Sequence, residues 1–269
     1  MITPSYRYGV GSPSSSLMRR ESLVALVALA LLALTTLITF VMPLAVEDRI
    51  MLGINQMARE SALFDFIMNV LSYQNLISGV LLVAGLWALW FMPSLVSRRA
   101  ELLTCSVAAF GSAALSRIMQ QLTPAHPRPL QDQALNMTPP FGIDAQTLHD
   151  FSSFPSDHAA VYIGLAYVIW RLHRRLGMVA IAFAALLCFT RIYLGFHFIT
   201  DIIGGGALAI LTVQVALLAP FQRIGGWLTG FSQTHPHWFY PLAFIGCYGI
   251  ATLVEELREL VGGLLRLML

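Results

Sequence analysis

The chain has 269 residues, 57% of them hydrophobic and 11% charged, with a formal net charge of +2 and a mean hydropathy of +0.71. Soluble domains carry about 25% charged residues, so the composition excludes a water-soluble globule, a disordered chain, a coiled coil and a nucleic-acid-binding module. All 16 basic residues are arginine, which excludes lysine chemistry such as a Schiff base or a Walker A loop.

The pattern predicts an all-α integral membrane bundle of six spans, each needing roughly 20 apolar residues to cross a core about 30 Å thick. A polar lead ends in Arg19-Arg20, and the 25 uncharged residues Ser22 to Val46 follow. That run is too long for a signal-peptide core and has no small-residue cleavage site, so it reads as an uncleaved first span at about 23–42. Residues 48–72 read as an amphipathic or interfacial approach to a second span at about 75–92. A third span lies at about 102–121. Pro124, Pro127, Pro129, Pro139 and Pro140 then break helix formation through a polar loop at about 122–154. Spans at about 156–171, 177–192 and 200–219 complete the set. The stretch from Trp238 to Val254 is either a short seventh span or an interfacial helix. The expected organisation is a tail at 1–21, a six-span core at 22–224 and an extension at 225–269. Cys105, Cys188 and Cys247 sit in apolar stretches without CxxC spacing and read as packing residues.

Basic clusters set the orientation. Arg19-Arg20, Arg98-Arg99, Arg171/Arg174/Arg175 and Arg223 all fall on one side of a six-span chain, the cytoplasmic side. The polar residues without a topological role then collect on the outer face, periplasmic or extracellular in a bacterium. The expected location is therefore the cell (inner) membrane.

Charged groups in or beside spans are costly and are functional candidates. They form four clusters: Arg117 and Gln121 before His126-Pro127-Arg128-Pro129; Pro155-Ser156-Asp157-His158; Thr190-Arg191 through His197; and Asp201, four residues beyond His197. An i, i+4 His–Asp pair shares a helix face, so the carboxylate can fix one imidazole nitrogen and leave the other for chemistry. Arg128 and Arg191 offer planar forks that match phosphate oxygens. Ser156 and the N–H groups opening span four add neutral donors. Such a set suits phosphoryl transfer without a metal or cofactor: one His attacks phosphorus, the other protonates the leaving oxygen, and the arginines hold the spreading charge.

These residues resemble the type 2 phosphatidic acid phosphatases, which share their site with vanadium-dependent haloperoxidases. The family pattern is K-x6-R-P, then P-S-G-H, then S-R-x5-H-x3-D. The chain has Gln121-x6-Arg128-Pro129, Pro155-Ser156-Asp157-His158 and Thr190-Arg191-x5-His197-x3-Asp201. The resemblance implies that His197 is the nucleophile, forming a phosphohistidine. It likewise implies that Asp201 orients His197, that His158 is the general acid, and that Arg128, Arg191 and Ser156 contact phosphate. Gln121 stands at the lysine position without its charge, and Arg117, one turn earlier, is the candidate substitute. Asp157 replaces glycine; it is expected to face solvent at the helix N-terminus, where the dipole favours it, or else to modulate the pocket. Thr190 keeps the hydroxyl of the family serine.

The remaining polar groups have plainer readings. His126, His149 and Asp150 are expected in a solvated loop, and His173 among the cytoplasmic arginines. His235 and His237 lack a matching carboxylate for a metal. Gly204-Gly205-Gly206 reads as a close helix-packing stripe, and Trp87, Trp90 and Trp170 as interface anchors. The expected substrate is a lipid phosphate or diphosphate in the bilayer, undecaprenyl diphosphate first, because it is recycled on the outer side. Phosphatidic acid, phosphatidylglycerophosphate, lipid A phosphates and phosphate transfer between lipids stay open. A transporter or lipid-binding scaffold with a decayed site is the non-enzymatic alternative, against which His158, His197 and Asp201 argue.

Overall fold

A computed structural model of the chain describes residues 15–73, 75–147 and 151–252. His149 and Asp150, most of the expected tail, and the end of the extension with Glu255, Glu256, Arg258 and Glu259 lie outside them. Among the described residues every regular element is helical: α1 (Ser15–Phe40), α2 (Ala45–Asn55), α3 (Ala62–Tyr73), α4 (Asn75–Phe91), α5 (Arg99–Leu122), α6 (Asp157–Leu172), α7 (Arg174–Tyr193), α8 (Ile199–Ala216), α9 (Ala219–Thr234) and α10 (Pro236–Ala251), with short 3-10 turns at Pro93–Arg98 and Pro129–Gln131.

The six expected spans correspond to α1 and α4 to α8. Among the described residues four stretches are long and apolar enough to cross a membrane, Met18–Phe40, Pro93–Leu122, Arg174–Tyr193 and Ile199–Ala216. Leucines on α1 and apolar side chains on α7 and α10, among them Leu26, Leu29, Met178, Val179, Phe244 and Ile245, are exposed. Water would not tolerate such continuous apolar faces, but lipid does; the chain is an integral membrane protein. The two remaining helices, α4 with 17 residues and α6 with 16, are about 24–26 Å long at 1.5 Å per residue. A short α6 is tolerated because it lies inside the bundle, buried along most of its length.

Small residues let the central helices approach closely. A Cβ added to Gly164 of α6 would stand 3.0 Å from the Ala109 methyl of α5 and 3.1 Å from that of Ala209 on α8. A single residue joins α6 to α7. His173 is extended there, and its ring Nδ1 accepts the Leu176 N–H at 3.2 Å, capping α7; a side-chain cap of this kind contributes about 1 kcal/mol. His173 therefore has a local structural role that charge topology alone does not suggest.

Ion pairs mark one end of the bundle. Arg98 meets Glu101 at 2.8 Å, and Arg171 meets Glu21 at 2.8 Å and Glu101 at 3.3 Å. These contacts gather the starts of α1 and α5 with the end of α6. Arg174 lies over Trp170 at 3.9 Å. Trp90 is 4% exposed, stacked on Phe239 and bonded to the Tyr240 hydroxyl at 3.3 Å. It is an internal packing residue rather than an interface anchor, because α10 covers it.

At the opposite end the expected amphipathic approach is two helices, α2 and α3, parted by a turn in which Arg59 has φ +68°. Both hold the long loop down. Asn55 pairs with the Thr138 backbone through its N–H and carbonyl, each at 2.8 Å, and Arg59 Nε donates to Pro139 O at 2.8 Å. The buried Asp65 carboxylate accepts the Arg59 N–H at 3.1 Å, the Phe141 N–H at 2.7 Å and the Tyr193 hydroxyl.

The extension forms two helices within the described residues. Its first part is helical, because Pro220 in the first turn suits a helix start. Both ends of α9 stay at the arginine end. Gly225 packs against the Ala100 backbone, and α10, which follows directly, sets Phe239 on Trp90. From there α10 returns along α4, and its Ala251 backbone meets Gly79.

Candidate active site

Four helix ends build the site. The Ser156 hydroxyl caps α6 by accepting the Ala159 N–H at 3.3 Å, and its own N–H donates to Asp201 O at 3.1 Å. Thus Pro155-Ser156-Asp157-His158 is tied directly to the start of α8. Leu130, just after Arg128, donates to Gly195 O at 2.9 Å. Gly195 has φ +69°, and a Cβ there would also press on Leu130 at 3.1 Å, so glycine is required for this crossing. The glycine run on α8 completes the fit. Gly204 faces the Phe154 ring, Gly205 the Ser156 carbonyl and Gly206 Ile163, so the three glycines pack the helix against the loop and α6.

His197 is fully buried in the loop between α7 and α8. Its Nε2 faces Arg128 Nη1 at 3.3 Å. Its Nδ1 lies 3.0 Å from the Ser153 carbonyl and 3.5 Å from Asp201 Oδ2. Asp201 accepts the Phe198 N–H at 2.7 Å and the Ser153 hydroxyl. The His–Asp pair is therefore not a helix-face pair. His197 precedes α8, and Asp201, in its first turn, folds back onto Phe198 and Ser153. Burial, with the Arg128 and Arg191 guanidiniums beside it, holds His197 well below the ordinary imidazole value. The ring is neutral near pH 7 and its unprotonated nitrogen can face a cation.

Arg128 is 2% exposed. Its Nη1 donates to Phe196 O at 2.7 Å and its Nε to Phe151 O at 3.2 Å. Burial and the neighbouring Arg191 bring its pKa down to about 10, so it stays charged at neutral pH. Arg191 donates from Nη1 to the Ser72 hydroxyl at 2.8 Å, and its guanidinium lies 4.8 Å from the Phe196 ring centre. Arg191 Nε is buried without a partner among the described residues. Thr190 is buried and bonds the Leu187 carbonyl at 2.7 Å. His126 is half-buried between Phe40 and Phe198, and burial lowers its pKa.

Two expected residues are placed otherwise. Asp157 is 6% exposed rather than solvent-facing: its Oδ1 is 2.9 Å from His158 Nδ1, and its Oδ2 is 2.6 Å from Arg117. Gln121 is exposed on α5 and is not drawn into the site. The inward position belongs to Gln120, which donates to Pro155 O at 2.7 Å beside Ser116, also at 2.7 Å. Arg117 bonds Gln120 at 3.3 Å and lies over Phe151, so its terminal nitrogens are engaged within the protein.

Ser153, Ser72, Ser116 and Gln120 are the supporting residues that sequence reading passes over. Ser112, Ser116 and Gln120 recur every four residues in an apolar helix, and this polar stripe was the available signal. Ser153 and Ser72 carried none, since their partners lie 44 and 119 residues away.

Fold and site together define a helical membrane protein with two histidines, two arginines and two carboxylates gathered at one end. The PAP2 superfamily matches residues 102–225. "Putative undecaprenyl-diphosphatase YbjG" of Escherichia coli (strain K12) is 30% identical over 166 residues, 57% of this chain and 76% of that protein. Undecaprenyl-diphosphatase BcrC of Bacillus subtilis (strain 168) is 24% identical over 159 residues, 59% of this chain and 76% of that one. A transmembrane PAP2 type phosphatidylglycerolphosphate phosphatase from Bacillus subtilis aligns over 72% of this chain and 92% of its own, with 20% identity and a TM-score of 0.49. The chain belongs to the PAP2 superfamily. It is a membrane lipid phosphatase, a hydrolase acting on lipid phosphates.

Proposed function

We propose that the chain hydrolyses a polyprenyl diphosphate, undecaprenyl diphosphate to undecaprenyl phosphate, at the outer face of the cytoplasmic membrane through a phosphohistidine. The names of the two relatives support the substrate. The arginine clusters at the end remote from the site support the outward orientation, since such clusters are retained in the cytoplasm.

The observation that carries the mechanism is His197 Nε2 facing Arg128 at 3.3 Å with its other nitrogen engaged. The terminal phosphoryl group sits between Arg128 and Arg191, with the Ser156 hydroxyl as a neutral donor. His197 Nε2 attacks phosphorus, and the bond from phosphorus to the bridging oxygen breaks. His158 gives that oxygen its proton, and the lipid monophosphate leaves. His158, now unprotonated, takes a proton from water; the water oxygen attacks phosphorus, the N–P bond breaks and inorganic phosphate departs. Ser153 and Asp201 hold His197 in place throughout.

Phosphate release by the purified protein from a panel of undecaprenyl diphosphate, phosphatidic acid and phosphatidylglycerophosphate, with His197→Ala beside it, tests the reading. Release by wild type, a phosphoprotein trapped by alkaline detergent quench, and neither from the variant are expected. Equal release by both proteins overturns the mechanism, and preference for a glycerolipid phosphate overturns the substrate. Loss of release in EDTA overturns the metal-free chemistry.

A further inference from the structure

We propose that Asp157 is a positioning residue for His158, itself held by Arg117, so that the chain carries a carboxylate partner for its second histidine. This rests on the reading of His158 as the proton donor to the leaving group.

The contacts form a chain. Asp157 Oδ1 accepts from the His158 backbone N–H at 2.9 Å and stands 2.9 Å from His158 Nδ1. Asp157 Oδ2 meets Arg117 at 2.6 Å. Arg117 is braced by Gln120 at 3.3 Å, and Gln120 and Ser116 both hold the Pro155 carbonyl, two residues before Asp157. One carboxylate oxygen thus serves the imidazole and the other serves the guanidinium.

This arrangement has two chemical consequences. A carboxylate at Nδ1 fixes which imidazole nitrogen carries the constant proton, so the transferable proton sits on Nε2. It also anchors the ring in one orientation, so the donor is held in place while the proton moves. A lone carboxylate beside a phosphate site would repel the substrate, and Arg117 cancels that charge at contact distance. Of the three departures from the family pattern noted in the sequence, the aspartate where glycine is usual is thereby joined to Arg117, the arginine one turn from the position of the missing lysine.

Leaving-group dependence tests the proposal, because general acid catalysis matters for an alkoxide leaving group and little for a nitrophenolate. The substrates are phosphatidic acid and p-nitrophenyl phosphate, with wild type, Asp157→Asn, Asp157→Gly, Arg117→Gln, the Asp157→Asn/Arg117→Gln double variant and His158→Ala. For Asp157→Asn, kcat on phosphatidic acid should fall about 10- to 100-fold, part of the 10²–10⁴ that a general acid supplies. Its kcat on p-nitrophenyl phosphate should fall less than about threefold, and KM for both should change less than about twofold, since only the proton transfer is touched. Asp157→Gly should show the same discrimination, which guards against a misfolded single variant. The double variant should be no slower than Asp157→Asn, as coupled residues require. Equal losses on both substrates, or no loss on either, in the Asp157 variants overturn the proposal while a discriminating His158→Ala leaves the acid assignment standing. A His158→Ala that does not discriminate overturns the acid assignment, and this proposal with it.

Discussion

His197 Nδ1 is closer to the carbonyl of Ser153, at 3.0 Å, than to the carboxylate of Asp201, at 3.5 Å. Ser153 sits between the two, its carbonyl on the imidazole and its hydroxyl on Asp201. The contact to the imidazole is therefore shared, and in the proposed mechanism Asp201 acts partly by fixing the serine. Ser153→Ala keeps the carbonyl and removes the hydroxyl. It should lower kcat about 10-fold with little change in KM, because the effect is on alignment. Asp201→Ala should cost at least about 100-fold, since it also frees the Phe198 N–H. Steady-state rates on one lipid substrate check both.

The neutral state of His197 predicts a pH dependence. In the proposed mechanism His197 attacks unprotonated, and burial with Arg128 and Arg191 nearby holds its pKa below the ordinary 6.5. Protonation is thus deferred to more acid solution. Phosphohistidine formation should persist as pH falls from 7 to 6 and be lost at lower pH. Removing one cation lifts the nitrogen's proton affinity, so Arg128→Gln should shift that loss toward higher pH as well as slow the reaction. The phosphoenzyme amplitude in single turnovers quenched with alkaline detergent, followed against reaction pH, reads this directly.

Arg128 should not be replaceable by lysine. Its Nη1 serves Phe196 O while facing His197, and its Nε serves Phe151 O; a single ammonium cannot span those directions. Arg128→Lys should lose about 100-fold or more in kcat/KM, comparable with losing one preorganised donor to transition-state charge. Kinetics on the lipid substrate measure it.

Asp65 is predicted to be a stability residue with no part in the chemistry. Asp65→Ala removes the acceptor of the part-buried Arg59 and Phe141 N–H groups and leaves the Tyr193 hydroxyl only the Met57 carbonyl at 3.3 Å; a fully buried donor left unsatisfied costs about 1–3 kcal/mol, and these cost less each because water reaches them. Thermal unfolding in detergent should fall sharply. Tyr193→Phe, which removes one partner, should be milder. Gly195→Ala should also lower the transition, through its positive φ and the Leu130 contact.

The sequence made the helices and the reacting residues legible for different reasons. Apolar length marked α1, α5, α7 and α8, and the His, Arg and Asp residues stood out because charge is scarce in this chain. Support around the site was harder to read. Gln120 and Gln121 differ by about 100° on a helix, and only the packing of α5 on α6 decides that Gln120 faces Pro155. Asp157 was expected at solvent because nothing in the local sequence shows that Arg117, 40 positions earlier, closes over it. Asp65 looked like one charge in an amphipathic segment until the long loop and Tyr193 came to meet it. Helix α9 was overlooked because its glycines and glutamines give no membrane signal.

The glycine edge of α8 has a mechanical meaning beyond close packing. Gly204, Gly205 and Gly206 seat Phe154, Ser156 and Ile163 directly on a helix backbone, so the loop before α6 and the first turns of α6 are held at one level along α8. In the proposed reaction the phosphate is brought to that level, and the freedom to adjust belongs to the substrate's tail.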